Sequence, residues 1–241
     1  RPRTSASSTT PSSSSAPSRG DAVSEPIAQP GRIDDAAFGT ELLLIRHGES
    51  RAVVPGSPES ADPPLSARGV EQAAALAARL AGKRIDGVWT SHYARARDTG
   101  RALAEPRGLE VVERKDLREV DLGDWGEGEF RRRAATGDPE YQAFVATGRW
   151  STIPNAEDDE VLRDRVTNAV EEAAAAHAGG CVAVVCHGGT INAWLARFTG
   201  SHRSMVVAID NTSVTRLRTD GERWLVLGVN GRHHLGDPLL P

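Results

Sequence analysis

Arginine and histidine follow short apolar runs at three places in this 241-residue sequence. After "LLLI" (residues 42–45) come Arg46, His47 and Gly48. After "DGVWT" (86–90) come Ser91, His92, Arg95 and Arg97, and after "CVAVVC" (181–186) come His187 and Gly188. Charge at the end of a buried strand costs free energy unless something compensates it, and cations gathered at one sheet edge repel one another unless an anion sits among them. An oxyanion, above all phosphate, answers both requirements. A histidine beside arginines has its pKa lowered and keeps a nitrogen lone pair free, which makes it a nucleophile for phosphoryl transfer. Together with positioned cations, such a nucleophile can cleave a phosphate monoester without a metal. The departing alkoxide then needs a proton, and "LREVDLGDWGEG" (117–128) offers Glu119, Asp121, Asp124 and Glu127.

These residues must be positioned by strands and helices. The chain alternates short apolar runs with helical patterns: strands at 42–45, 86–90, 109–112 and 181–185, and helices over about 66–82, 93–105, 138–147, 157–178 and from about 189. Ser66 is the expected N-cap of the first helix and Gly82 its stop. "MVVAI" (205–209), "SVTRLR" (213–218) and "WLVLGV" (224–229) read as closing strands, with the Asp220-Gly221 turn suggesting an antiparallel addition at one edge. This alternation predicts an α/β three-layer sandwich, with a mostly parallel central sheet and helices on both faces. Ligands of open α/β sheets bind at the carboxyl ends of strands, where the arginines and histidines stand. Neighbouring strand residues face opposite ways. The strand is therefore expected to end at Ile45, so that Arg46 and His47 can turn to one point.

Composition narrows the partners. Net charge is −4, and 39% of residues are hydrophobic and 26% charged. Such a chain has no global basic field for nucleic acid or an anionic membrane. Cys181 and Cys186 are five apart on one strand and point to opposite faces, so no disulfide joins them and a reducing, cytoplasmic compartment is expected. No cluster has metal-ligand spacing, and the tandem His233-His234 lacks a carboxylate or thiolate to complete a site. We expect no metal and no cofactor. Residues 1–40, rich in Ser, Thr and Pro, are expected to be a disordered tail, 41–230 the catalytic domain and 231–241 a C-terminal tail.

Several residues have plainer readings. Ser50 is a candidate phosphate donor or a turn cap, and His92 a pocket rim or a solvated side chain. His177, His202 and the His233-His234 pair read as surface residues, and Trp89, Trp125 and Trp194 as core. Glu119 could serve only as a loop brace.

The motifs together resemble the histidine phosphatase superfamily in its phosphoglycerate-mutase-like branch, over essentially all of 41–230. "LLLIRHGES" is similar to the Arg-His-Gly-Glu signature. "PPLSARGVEQAAAL" resembles Pro-Leu-(Ser/Thr)-x-x-Gly-x-x-Gln-Ala, and "TSHYARARDT" resembles Ser-x-x-x-Arg-Ala-x-x-Thr, which singles out Arg95 over Arg97. "LREVDLGDW" resembles Leu-x-Glu-x-x-x-Gly-x-Trp, which singles out Glu119, and "VVCHGGT" looks like the segment of the second histidine. The resemblance implies His47 as a nucleophile forming phosphohistidine. Arg46, Arg95 and His187 would bind the phosphoryl group, joined by Ser50 and Gly188, with Glu119 as general acid and base.

Two departures bear on the activity. Val53 stands where the resembled mutases usually carry Asn, and Gly-x-Trp-Glu-Gly reads "GDWGEG" (123–128), as if one Gly were inserted. The long basic, Pro-rich insertion that those mutases place after the acid has no counterpart. We therefore expect a metal-independent phosphomonoesterase acting on a small phosphorylated metabolite. A phosphoglycerate mutase and a catalytically silent phospho-ligand binder are the alternatives. Specificity is assigned to the loops at 51–65 and 129–156, which could form a lid. The oligomeric state is not legible.

Overall fold

A computed structural model describes residues 38–236. The expected disordered tail lies outside the described residues up to residue 37, as does the C-terminal tail from residue 237. The first strand, β1 (Thr40–Arg46), begins in the last residue assigned to the tail. It is followed by α1 (Ala67–Arg79), β2 (Gly87–Ser91), α2 (Ala94–Ala104) and β3 (Val111–Arg114). Then come α3 (Glu129–Thr136), α4 (Pro139–Thr147), α5 (Asp159–Ala176), β4 (Cys181–Cys186) and α6 (Gly188–Thr199). β5 (Val214–Thr219) and β6 (Trp224–Gly231) close the sheet.

The six strands run in the order β3-β2-β4-β1-β5-β6. β1, β2, β3 and β4 pair in parallel, while β5 and β6 join antiparallel beside β1, as the turn between them suggested. β1 is buried along its length because its side chains feed two cores. Leu42 and Leu44 pack with Val166 and Val170 of α5 and Ile191 of α6. Leu43 and Ile45 pack with Leu76 of α1 and Leu103 of α2 on the other face. Each such leucine or isoleucine contributes about 1.5–3 kcal/mol by leaving water. Cys186 joins the first cluster and Cys181 the second, and both thiols are free.

Helix starts follow the capping residues. Ser66 accepts from Gly69 N at 3.0 Å, and Asp138 and Asp158 cap α4 and α5, with Pro139 opening α4 where no amide donor is needed. α3 went unread in the sequence because charged residues fill it: Arg131, Arg132 and Arg133 pack no core face. "MVVAI" is not a strand. The amides of Val206 and Val207 both donate to Asn192 Oδ1 at 2.9 Å, and Asn192 Nδ2 donates to Val207 O at 2.9 Å. A side chain of α6 thus takes the place of a neighbouring strand. Among the described residues no helix is long and apolar enough to cross a membrane.

Candidate active site

The carboxyl ends of β1, β2 and β4 lie side by side, and a cavity of about 640 Å³ opens beside them. Arg46, His47, Ser50, Arg95 and Glu119 line it. The strand does not stop at Ile45: β1 runs through Arg46, and His47 N still donates to Cys186 O at 3.0 Å. The two side chains therefore come from opposite faces of the sheet. Arg46 is long enough to fold over the edge, donating Nη1 to Ile209 O and placing Nε near Gly188.

The partners of the two histidines set their tautomers. His47 Nδ1 is 2.6 Å from Gly48 O, an acceptor only, so Nδ1 carries the proton. His47 Nε2 is then a lone pair, and it accepts from Arg95 Nε at 3.3 Å. His187 has the opposite form. Its Nδ1 lies 3.4 Å from Arg95 Nη2, and a guanidinium only donates, so the proton sits on Nε2. The rings meet edge-on with centroids 4.9 Å apart.

Both rings are pushed toward the neutral form. Burial, then the charges of Arg95 and Arg46, hold His47 well below the ordinary histidine range. His187 is lowered by burial first and then by His47 and Arg95. Two buried donors, Arg46 Nε and His187 Nε2, have no hydrogen-bond partner among the described residues. Buried donors are normally satisfied. Here two of them stand in the same group of side chains as the His47 lone pair.

Arg95, 8% exposed, is held from several sides. Besides the two histidines it pairs through Nη1 with Asp62 at 3.3 Å and lies over the Tyr93 ring at 4.7 Å. Asp62 also accepts from Ala94 N at 3.0 Å, capping the helix that carries Arg95. Arg97, by contrast, turns to Glu113 at 3.8 Å.

Of the candidate acids, Glu119 is fixed at both oxygens: Oε1 accepts from Val120 N at 3.1 Å and Oε2 from Gly189 N at 3.3 Å. It lines the same cavity as Arg46 and Arg95, and a carboxylate there opposes the lowering of their pKa values by burial. Asp121 and Glu127 also line the cavity, whereas Asp124 accepts from Asn155 Nδ2 at 2.9 Å. A Cβ on Gly189 would overlap Glu119 Oε1, so a glycine is required there for the carboxylate to dock. Gly188 carries no such restriction, its Cβ position lying 3.7 Å from Arg46 Nε. Gly48 is needed for another close approach: a Cβ there would stand 2.6 Å from Gly69 O at the start of α1.

His187 is fully buried behind Arg95 rather than on the cavity wall. Ser50 accepts from Arg131 Nη2 at 2.9 Å. His92 is half-buried against Tyr93, outside the cavity lining. His177 is not a free surface residue, since it accepts from Trp89 Nε1 at 3.2 Å. His234 likewise reaches Thr212 Oγ1 at 3.0 Å. Trp89, Trp125 and Trp194 are buried, and Trp125 also meets the cavity.

Three site residues were missed in the sequence. Asn211 lines the cavity and donates to His47 O at 2.9 Å, and its only local signal is a polar turn after "MVVAI". Arg131 lines the opposite wall. It donates to Ser50 Oγ and Arg51 O, and no acidic partner is found for it among the described residues. Asp62 lies in a Pro/Ser-rich loop and is identified only by its contact with Arg95. Among the described residues no group of three or more His, Cys, Asp or Glu is arranged to hold a metal ion.

Known proteins share this arrangement of sequence. A metal-independent phosphoserine phosphatase of Arabidopsis thaliana is 32% identical over 201 residues, covering 81% of this chain and 83% of that protein. Phosphoserine phosphatase 1 of Hydrogenobacter thermophilus is 28% identical, covering 82% and 95%. The solved structure of a mycobacterial glucosyl-3-phosphoglycerate phosphatase superposes with a TM-score of 0.67 at 26% identity, covering 79% and 98%. The sequence profile of the histidine phosphatase superfamily (branch 1) matches residues 42–232, from the first apolar residue of β1 to just beyond β6, and the chain belongs to that family.

Proposed function

We propose that the protein hydrolyses a small phosphate monoester through a phosphohistidine on His47. The opposed tautomers of His47 and His187 are the observation that carries this reading. His47 Nε2 offers a lone pair beside Arg95, and among the described residues Arg46 Nε and His187 Nε2 are buried donors without a partner, which supports an anion held among them. In the first step His47 Nε2 attacks phosphorus and the ester P–O bond breaks, while Glu119 gives its proton to the departing oxygen. In the second, water attacks phosphorus as the N–P bond breaks. Glu119 takes the proton of that water, and His47 returns to its neutral form. Arg46, Arg95 and His187 Nε2–H hold the phosphoryl oxygens, with the Ser50 hydroxyl and the Gly188 amide at the start of α6 beside them.

Arg131 supports a narrower substrate class. A cation on the cavity wall with no carboxylate partner among the described residues suits a second anionic group on the substrate. Phosphoserine, named for the relatives above, is such an ester. Phosphatase is favoured over mutase because a methyl of Val53 lies against Gly128, giving no polar group where the resembled mutases carry Asn. A cytoplasmic setting is part of the proposal.

The test is to trap the phosphoenzyme after mixing with a phosphate monoester. The wild-type protein should yield an acid-labile, alkali-stable phosphoprotein and free phosphate, unchanged by chelator. His47→Asn should yield neither. Full turnover in that variant, or strict dependence on a divalent ion, would falsify the reading. Formation of 2-phosphoglycerate from 3-phosphoglycerate in place of free phosphate would make it a mutase.

A further inference from the structure

Arg165 stands on α5, outside the cavity lining, and its guanidinium makes five hydrogen bonds. Nε donates to Glu157 Oε1 at 2.6 Å and Nη2 to Glu157 Oε2 at 2.7 Å, a bidentate fork on one carboxylate. The remaining contacts go to backbone carbonyls: Nη1 to Asp116 O at 2.7 Å and Arg118 O at 3.0 Å, and Nη2 to Glu119 O at 3.2 Å. All three carbonyls belong to the loop that carries the proposed acid.

Residues 118–122 of that loop form neither helix nor strand. It leaves β3 through a short 3-10 turn and continues as irregular chain. Three carbonyl dipoles aimed at one point repel unless a cation sits among them. Glu157 fastens the same loop from its other end, accepting from Asp121 N at 3.2 Å and from Arg118 Nη2 at 3.1 Å, while its own amide donates to Asp121 O at 2.9 Å. The side chains of Arg165 and Glu157 are only 9% and 6% exposed. Breaking a buried pair of this kind leaves an uncompensated charge, so the two act as one unit.

We propose that Arg165, backed by Glu157, is the positioning residue for the general acid: it fixes the backbone on which Glu119 stands, and so where the Glu119 carboxyl meets the leaving oxygen. This rests on the reading of Glu119 as the acid. Arg165 lies outside the cavity lining, and among the described residues its hydrogen bonds do not include His47. Its loss should therefore weaken proton delivery and leave attack on phosphorus intact.

Leaving-group dependence separates these effects. An alkyl phosphate needs the acid, whereas 2,4-dinitrophenyl phosphate releases a stable anion without one. Arg165→Lys keeps the charge and loses the fork that reaches three carbonyls. Its kcat/KM for an alkyl phosphate should fall by ~10²-fold, the lower end of what general acid catalysis supplies. Its kcat/KM for the dinitrophenyl ester should stay within about threefold, since no proton is delivered there. Glu119→Gln is the reference and should show the same pattern, and the double variant should lose no more than Glu119→Gln alone. If Glu119→Gln discriminates and Arg165→Lys does not, or Arg165→Lys slows both esters equally, the positioning role is wrong. If Glu119→Gln itself fails to discriminate, the acid has been misassigned and the proposal falls with it. Should Arg165→Lys not fold, as judged by circular dichroism, Glu157→Gln takes its place, with the same selective loss required.

Discussion

Arg95 Nε lies 3.3 Å from His47 Nε2 and points its proton at the lone pair of the proposed nucleophile. The contact holds the imidazole in place while its charge disfavours protonation of the ring. Removing a preorganised donor of this kind costs ~10²–10³ in rate. Arg95→Lys should lose that much in kcat/KM, because an ammonium cannot bridge His47, His187 and Asp62 together. Steady-state kinetics on an aryl phosphate checks it.

The pH profile follows from the same pair. His47 must be neutral to attack, and burial and the nearby arginines hold its pKa well below the ordinary value. The acid limb of kcat/KM should therefore begin well below the pKa of about 6.5 for an exposed histidine. An acid limb centred near that value would show that His47 is not held neutral.

Stability carries the same signature. The unfolded chain binds protons at His47 and His187 as pH falls below about 6.5, while the folded protein resists them. Stability should fall as pH drops from there toward the lower folded-state values, by up to about 1.4 kcal/mol per pH unit for each histidine. Denaturant melts between neutral and mildly acidic pH should show a shallower slope in His187→Gln than in wild type.

The adjacent glycines should behave differently. Gly189→Ala would push Glu119 off its amide and should show the leaving-group pattern of Glu119→Gln. Gly188→Ala meets no obstruction and should raise stability by about 0.4–1 kcal/mol through the unfolded state, read from its melting midpoint.

Arg131 should govern selectivity. Arg131→Gln should lower kcat/KM for a carboxylate-bearing phosphate ester relative to a carboxylate-free one by ~10-fold, the scale of one charge-assisted hydrogen bond. An unchanged ratio between the two esters would remove the second-anion reading.

Much of this site could be read in the sequence because strand ends are local features. An apolar run followed by Arg-His-Gly reports both the strand and the group it delivers, as at Arg46-His47 and again at His187. Where a side chain replaced a backbone partner, local reading failed: Asn192 satisfies the amides of Val206 and Val207, so an apolar run with strand character forms none. β1 runs one residue beyond Ile45 because the Arg46 side chain is long enough to reach over the sheet edge from within the strand. Asp62, Arg131 and Arg165 act across 33, 81 and 46 positions of sequence respectively, through contacts that no local pattern encodes.

The aromatic wall formed by Trp125, Phe130, Phe144 and Trp150 is built from the 123–152 region, none of whose helices contributes a strand to the sheet. Arg46, His47, Arg95 and His187 arrive instead at the ends of β1 and β4 and on α2. The proposed reaction and the proposed selectivity therefore stand on separate stretches of chain. On the proposed reading, a substitution in α3 or α4 changes which ester is accepted without moving a strand end.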